Sequence, residues 1–148
     1  VESLFTRYRG ARRLDCLTVG SGLRPLVAAL KENRLVGTLA DQDGGREGFF
    51  LEFLGRTASV QSGIFRFVAR TGTPLVTAFA RQDGEGWVVR LDPPELPAPA
   101  PTPEAVEREA RRLAALYTER LARAVRERPD HWFWLHRRWR TQPTEKLL

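Results

Sequence analysis

Two histidines, His131 and His136, stand in the decapeptide HWFWLHRRWR (131–140) among three tryptophans, a phenylalanine and three arginines. A histidine acts as a general base when a carboxylate orients its ring, and Asp130 is the only acid close by in sequence. The same residues support other chemistries. Arginines interleaved with aromatics neutralise phosphates and stack on bases, and tryptophan with arginine suits a lipid–water interface. Packing accounts for them as well. Drawn as a helix, Trp132, Leu135, His136 and Trp139 share a face, with Arg137, Arg138 and Arg140 spread elsewhere as a cationic rim.

A second cluster, DQDGG (41–45), alternates acids before a glycine pair. A helix-loop-helix calcium loop needs an oxygen-bearing side chain at its fifth position, where, counted from Asp41, Gly45 stands, and a glycine at its sixth, where Arg46 stands, although Glu52 occupies the twelfth. Metal binding is therefore not expected. Asp41 and Asp43 are open to two roles, capping turn amides or serving a site. No glycine-rich phosphate loop, nucleophile elbow or cysteine–histidine metal spacing occurs. The lone Cys16 excludes an internal disulfide and reads as a small hydrophobe.

The elements that must position these residues have room to do so, because 148 residues suffice for a real core. The 24 Lys and Arg exceed the 18 Asp and Glu, so the net charge of +6 favours anionic partners: nucleic acid, anionic lipid or phosphorylated substrates. No window approaches a membrane-spanning run, so any lipid contact by these residues is expected to be peripheral. The chain begins at Val1 and lacks methionine, from which we expect an N-terminal part beyond these residues.

The basic opening, with Arg9, Arg12 and Arg13, shows only loose helical spacing. A clearer helix is expected in SGLRPLVAALKEN (21–33), capped by Ser21 and stopped at Asn33, followed by a strand in RLVGTLA (34–40) that ends at DQDGG. Ligands of open α/β sheets gather beyond strand carboxyl ends, which aims DQDGG at a ligand. FFLEFLG (49–55) reads as strand or apolar loop. QSGIFRFVARTG (61–72) reads as a helix with Ile64, Phe65 and Val68 inward and Gly72 as its stop. PLVTAFA and GWVVRLD are expected to pair antiparallel through Asp83–Gly84. After a proline-rich connector, 93–103, Pro103 opens a helix to about Arg128 with Val106, Ala110, Leu113, Tyr117, Leu121, Ala124 and Val125 as its apolar stripe, and Pro129 ends it.

ERPDHWFWLHRRWRTQP (127–143) resembles the C-terminal signature of the lipid A biosynthesis acyltransferases, the lauroyl and myristoyl transferases. Pro129, Trp134, His136, Arg137, Arg138, Trp139, Arg140 and Pro143 match it in order. Asp41, Gln42 and Asp43 match the family's strand-end Asp-Gln-Asp. FFLEFLGR is similar to a segment ending in Phe-Phe-Gly, with Leu54 replacing the second phenylalanine. The strand, hairpin and Pro-Pro run of 71–95 follows in the family's order. Val60 and Gln61 replace a usual Thr-Pro pair, and Thr77 replaces a common proline.

The resemblance implies an α/β fold, a partial mixed sheet flanked by helices, forming the C-terminal portion of a glycerolipid-acyltransferase-like domain. Its parts would be an α/β portion (1–92), the connector (93–103) and C-terminal helices (104–148). It implies an enzyme that moves a fatty acyl group from acyl carrier protein, or coenzyme A, to a hydroxyl of a lipid A precursor or related glycolipid. Work at the cytoplasmic face of the inner membrane, with no cofactor, follows from the same source. The family's base is a histidine separated by four residues from an acid. Five residues beyond His131 stands His136, and five beyond His136 stands Thr141, so the base is expected upstream and residues 1–148 alone are expected to be inactive. Asp41 is left as a supporting catalytic residue, and Arg137, Arg138, His136, Arg12 and Arg13 as the substrate-binding set. The rival expectations are a basic RNA-binding module built on the Trp/Arg cluster and a degenerate member without catalysis.

Overall fold

The computed structural model describes residue 10, residues 14–16 and residues 22–144. Arg12, Arg13 and Ser21 lie outside the described residues. The chain forms two compact units, residues 1–37 and 38–148.

In the first unit, helix α1 spans Arg24–Lys31, with proline in its first turn where no amide partner is needed. Asn33 adopts φ 59°, the left-handed stop expected of it. Arg34 pairs with Asp15. The run 34–40 departs from expectation, because no strand forms there among the described residues, and Leu35 and Leu39 are exposed. A strand exists only where a partner completes its ladder, and no described strand lies beside this run.

The second unit opens on an antiparallel hairpin, β1 (Phe49–Phe53) and β2 (Arg56–Val60), registered Phe49 to Val60 and Phe53 to Arg56. Leu54 and Gly55 turn it, both with positive φ (52° and 82°), as a twisted two-residue connection requires. Period-two alternation puts Phe49, Leu51, Phe53, Ala58 and Val60 on one face. Helix α2 (Gly63–Thr71) follows and ends at Gly72 with φ 67°, as expected. Helix α3 (Pro103–Glu127) lies across both, with Thr102 Oγ1 accepting from Ala105 N at 3.2 Å as its N-cap.

One core cluster joins Phe49, Val60, Phe65, Val68, Ala69, Val106, Ala110, Leu113 and Ala114. A second gathers Phe53, Ala58, Leu121, Ala122 and Val125, with Tyr117, Trp132 and Trp139 packed against it. Burying a side chain such as Phe53 stabilises by roughly 2–3 kcal/mol.

The expected hairpin of β3 (Ala78–Asp83) and β4 (Gly86–Leu91) is present as a separate antiparallel sheet. The connector runs extended beside it, joined by a bridge between Leu75 and Glu95. The class is α/β as expected, its described strands being two antiparallel pairs.

The decapeptide is not a helix. A 3-10 turn at Pro129–His131 is followed by two tight turns, in which Arg138 N donates to His136 O and Arg140 N to Arg137 O. Proline ended α3, and the indole of Trp134 takes the Pro129 carbonyl at 2.6 Å. With the helix gone, so is its helical face: Leu135 is 85% exposed, whereas Arg138, placed at the rim by the helical drawing, is 1% exposed.

Candidate functional site

The chain after α3 folds back over β1, β2 and the 41–48 loop, so the two clusters separated by about ninety residues of sequence meet. Phe53 anchors the return. Trp132 and Trp139 approach its ring at centroid distances of 5.3 and 5.8 Å, and the Arg138 guanidinium lies 5.3 Å over it.

Arg138 Nη1 donates to the Ser59 carbonyl, while Nε and Nη2 are buried without a partner among the described residues. Burial draws its pKa below the ordinary arginine value, against the opposing pull of Tyr117, Asp43 and Asp41. An arginine starts so high that it stays protonated. A fixed cation therefore sits beneath the two acids of DQDGG.

Asp43 holds the return in place. Its carboxylate accepts from Thr141 Oγ1 at 2.7 Å, Thr141 N at 3.2 Å and Gly45 N at 3.3 Å, with Arg140 at 3.5 Å. Burial raises its pKa, but the Thr141 bonds, the Gly45 amide and the Arg140 charge outweigh it and leave the group below its ordinary value. Asp43 thus carries out the capping alternative locally, at the Gly45 amide, and extends it to Thr141 as a tertiary contact. Asp41 is half-buried and close enough for its charge to act on Arg138 and Tyr117. Burial first, then Asp41, pushes the Tyr117 phenol upward, so it stays a neutral hydroxyl.

The loop lies this close to β2 because two glycines permit it. A Cβ on Gly44 would fall 2.5 Å from the Val60 carbonyl carbon, and one on Gly48 would fall 2.1 Å from Ser59 Oγ. Gly44 N bonds the Ser59 carbonyl at 3.0 Å, and Ser59 Oγ donates to Gly45 O at 2.5 Å.

Above this junction lies an open depression of about 530 Å³ lined by Gly45, Arg46, Arg140, Thr141, Gln142 and Thr144. Two guanidinium groups and several hydroxyl, amide and backbone donors suit it to an anion such as a phosphate. Arg137 is exposed.

The histidines have local duties. His131 Nδ1 lies 3.0 Å from Asp130, but Asp130 is gripped by the Arg128 fork at 3.1 and 2.9 Å, which holds its carboxyl well below the usual range. His136 Nδ1 meets Phe133 O at 2.7 Å, and its ring stands edge-on to Trp132. Trp132 and Trp139 are half-buried against Phe53, which limits them as base-stacking platforms. Among the described residues no three His, Cys, Asp or Glu side chains converge as a metal would need.

The structure thus brings Asp41 and Arg138 together beside β1–β2, while the His136 side chain stays within the return, against Trp132 and Phe133. Sequence reasoning missed Asp43 as the tether, together with Arg46, Arg140, Thr141, Ser59 and Tyr117. A signal was present for Asp43, Arg140 and Thr141: the two matched motifs had to meet somewhere.

The profile of the family described as bacterial lipid A biosynthesis acyltransferase matches residues 1–141. The chain belongs to this family. Among relatives of the lipid A acyltransferase family member, the Escherichia coli K12 lipid A biosynthesis lauroyltransferase is 28% identical over 82% of the chain and 39% of its own length. The E. coli palmitoleoyltransferase is 26% identical over 94% of the chain and 44% of its own length. The phosphatidylinositol mannoside acyltransferase of Mycobacterium tuberculosis H37Rv is 24% identical over 93% and 43%. The chain spans about two fifths of the length of these relatives, 39–44%.

Against the family pattern, the departures acquire structural reasons. Leu54 occupies a left-handed turn position and packs on the second core cluster. Thr77, in place of a proline, donates its hydroxyl to buried Asp92 at 3.0 Å.

Proposed function

We propose that the protein transfers a fatty acyl group from a carrier thioester, acyl carrier protein before coenzyme A, to a hydroxyl of an anionic glycolipid, a lipid A precursor or a relative of it. The carrying observation is family membership over residues 1–141. The acceptor oxygen attacks the thioester carbonyl, the carbon–sulfur bond breaks, and the acceptor proton passes by way of a general base to the leaving thiolate. We assign that base to the family's His/acid motif, whose spacing neither His131 nor His136 meets.

The residues in hand act in support. The guanidiniums of Arg46, Arg137 and Arg140 hold the acceptor's phosphates, Arg138 supplies a fixed positive field, and Asp41 orients groups at the loop. His136, Arg12 and Arg13 belong to the proposed acceptor-binding set. The domain reading stays with the proposal: one acyltransferase domain whose C-terminal part comprises 1–92, the connector 93–103, and 104–148. So does a place at the cytoplasmic face of the inner membrane, held peripherally or by an anchor outside these residues. No described helix is long and apolar enough to cross a bilayer.

A second acceptor class is favoured by the mycobacterial relatives, which are phosphatidylinositol mannoside acyltransferases. The test offers the complete protein acyl carrier protein or coenzyme A thioesters with either acceptor and reads acylated glycolipid by mass. We expect one acceptor to gain an acyl group. Transfer to neither, by a folded protein containing the His/acid motif, returns the chain to the degenerate reading.

A further inference from the structure

We propose that the turn Phe133–Trp134–Leu135 is an interfacial foot that seats the protein on an anionic lipid surface. It extends the membrane part of the reading above and is independent of the acyl-transfer part. Three consecutive apolar side chains are exposed there, by 61, 50 and 85% respectively. Scattered exposed apolar residues are ordinary, but three together at the tip of a turn are a patch in search of a cover.

The tip is held outward by bonds within the segment. Trp134 Nε1 donates to Pro129 O at 2.6 Å, and its ring meets Trp132 edge-on at 4.8 Å. Behind the tip, His136 Nδ1 meets Phe133 O at 2.7 Å, and the His136 ring stacks with Phe133 at 6.3 Å and 7°. An ordered tip loses little further conformational freedom on insertion.

Charge chooses the occupant. Exposed Arg137 and Arg140 follow the tip within five residues of Leu135, in a chain of net charge +6. Aromatics and leucine entering the acyl boundary, with arginines at headgroup level, is the arrangement that anionic lipid attracts. Another exposed apolar surface, Trp87, Val89 and Leu91 on β4, is bordered at its turn by Asp83 and Glu85 and lacks that complement. An RNA partner fits less well, because the most exposed side chain of the tip, Leu135, cannot stack on a base, and Trp132 and Trp139 are half-buried against Phe53.

The test uses the complete protein with every native cysteine, Cys16 among them, replaced by serine, so that Phe133→Cys or Leu135→Cys carries a polarity-sensitive dye, and Glu85→Cys serves as control. Vesicles of phosphatidylcholine, alone or with about a quarter phosphatidylglycerol, are added at low and high salt. We expect blue-shifted emission at 133 and 135 with the anionic vesicles, weakened by salt, and none at 85. The unlabelled double variant Phe133→Ser/Leu135→Ser should reduce that lipid-dependent association about tenfold. Dyes that stay in water while the protein floats with vesicles, no flotation at all, equal shifts with neutral lipid, or a shift produced only by oligouridine each overturn the proposal. Failure of acyl transfer leaves the dye result standing, and failure of the dye result leaves transfer in detergent micelles standing.

Discussion

Asp43 and Asp41 stand two positions apart and do different work. Asp43 is a tether, so Asp43→Asn should loosen the Arg140–Thr141 return by about 1–2 kcal/mol, the usual cost of losing hydrogen bonds to a charged acceptor. Its pKa lies below the ordinary carboxylate value in the folded protein. The stabilisation is then fully present above the unfolded value of about 3.9 and is lost as pH falls through the lower folded value. Thermal melts of wild type and Asp43→Asn should differ at pH 7 and converge below about pH 4; a constant gap would refute the assignment. Asp41→Ala, by contrast, should leave the melting curve within about 0.5 kcal/mol and depress acyl transfer at least tenfold. An unchanged rate would return Asp41 to turn structure. Arg138 separates structure from function in another way. Two of its nitrogens are buried without partners among the described residues, and the Ser59 carbonyl keeps the Gly44 amide if the arginine is removed. Arg138→Met should therefore change stability by less than about 1.5 kcal/mol while reducing turnover. A severe loss of fold with normal turnover per folded molecule would make Arg138 purely architectural.

At the scale of elements, what the sequence made legible were those whose signals are local. Helix α3 carries its own start, stripe and stop in Thr102-Pro103, Val106 to Val125, and Pro129, and it appears within a residue of expectation. The β3–β4 hairpin and α2 were likewise readable from Asp83–Gly84 and Gly72. Failures arose where tertiary partners decide. RLVGTLA has strand composition but no described partner, and RTASV looks polar in sequence, its Ala58–Val60 end being buried only by β1 at its side and the returning Arg138 segment. The decapeptide has helical spacing, yet its aromatics are satisfied by Phe53 through turns. The site suffered accordingly: its motifs were visible, but the Asp43–Thr141 junction joining them is a contact between distant segments. The local rule has a simple check. Thr102→Ala removes the cap bond to Ala105 and should cost α3 about 1 kcal/mol, read by chemical denaturation. No change would mean that packing alone fixes the start of α3.

Across residues 38–148, the two sheets share no ladder, so something other than backbone pairing must fasten β3–β4 to the rest. An ionic network does this. Asp92, at 8% exposure, accepts from the Thr77 hydroxyl at 3.0 Å and faces Arg90, Arg120 and Arg123 at 3.6, 3.7 and 3.5 Å. Arg120 and Arg112 reach Glu95 in the connector, and Arg112 forks onto buried Glu109, which also accepts from Ala98 N. Arg90 adds a bond to Glu127 at 2.8 Å. Hairpin, connector and α3 are thus cross-linked chiefly by charges, with Phe79 of β3 adding an apolar contact to the second core cluster, whereas β1–β2, α2 and α3 are joined chiefly by apolar packing, with the Arg66–Glu107 fork between α2 and α3. These two fastenings should fail separately. Asp92→Asn keeps the shape but removes the charge facing three arginines, and partial solvent screening of Arg90 and Arg123 limits the loss to about 2 kcal/mol. Because that loss falls on one attachment, hydrogen exchange should quicken at the amides of β3 and β4 and remain slow at Phe49, Val60 and the middle of α3. Uniform acceleration across both sheets would show instead that the hairpin and the apolar core open as one cooperative unit, with the ionic network contributing to a single global stability.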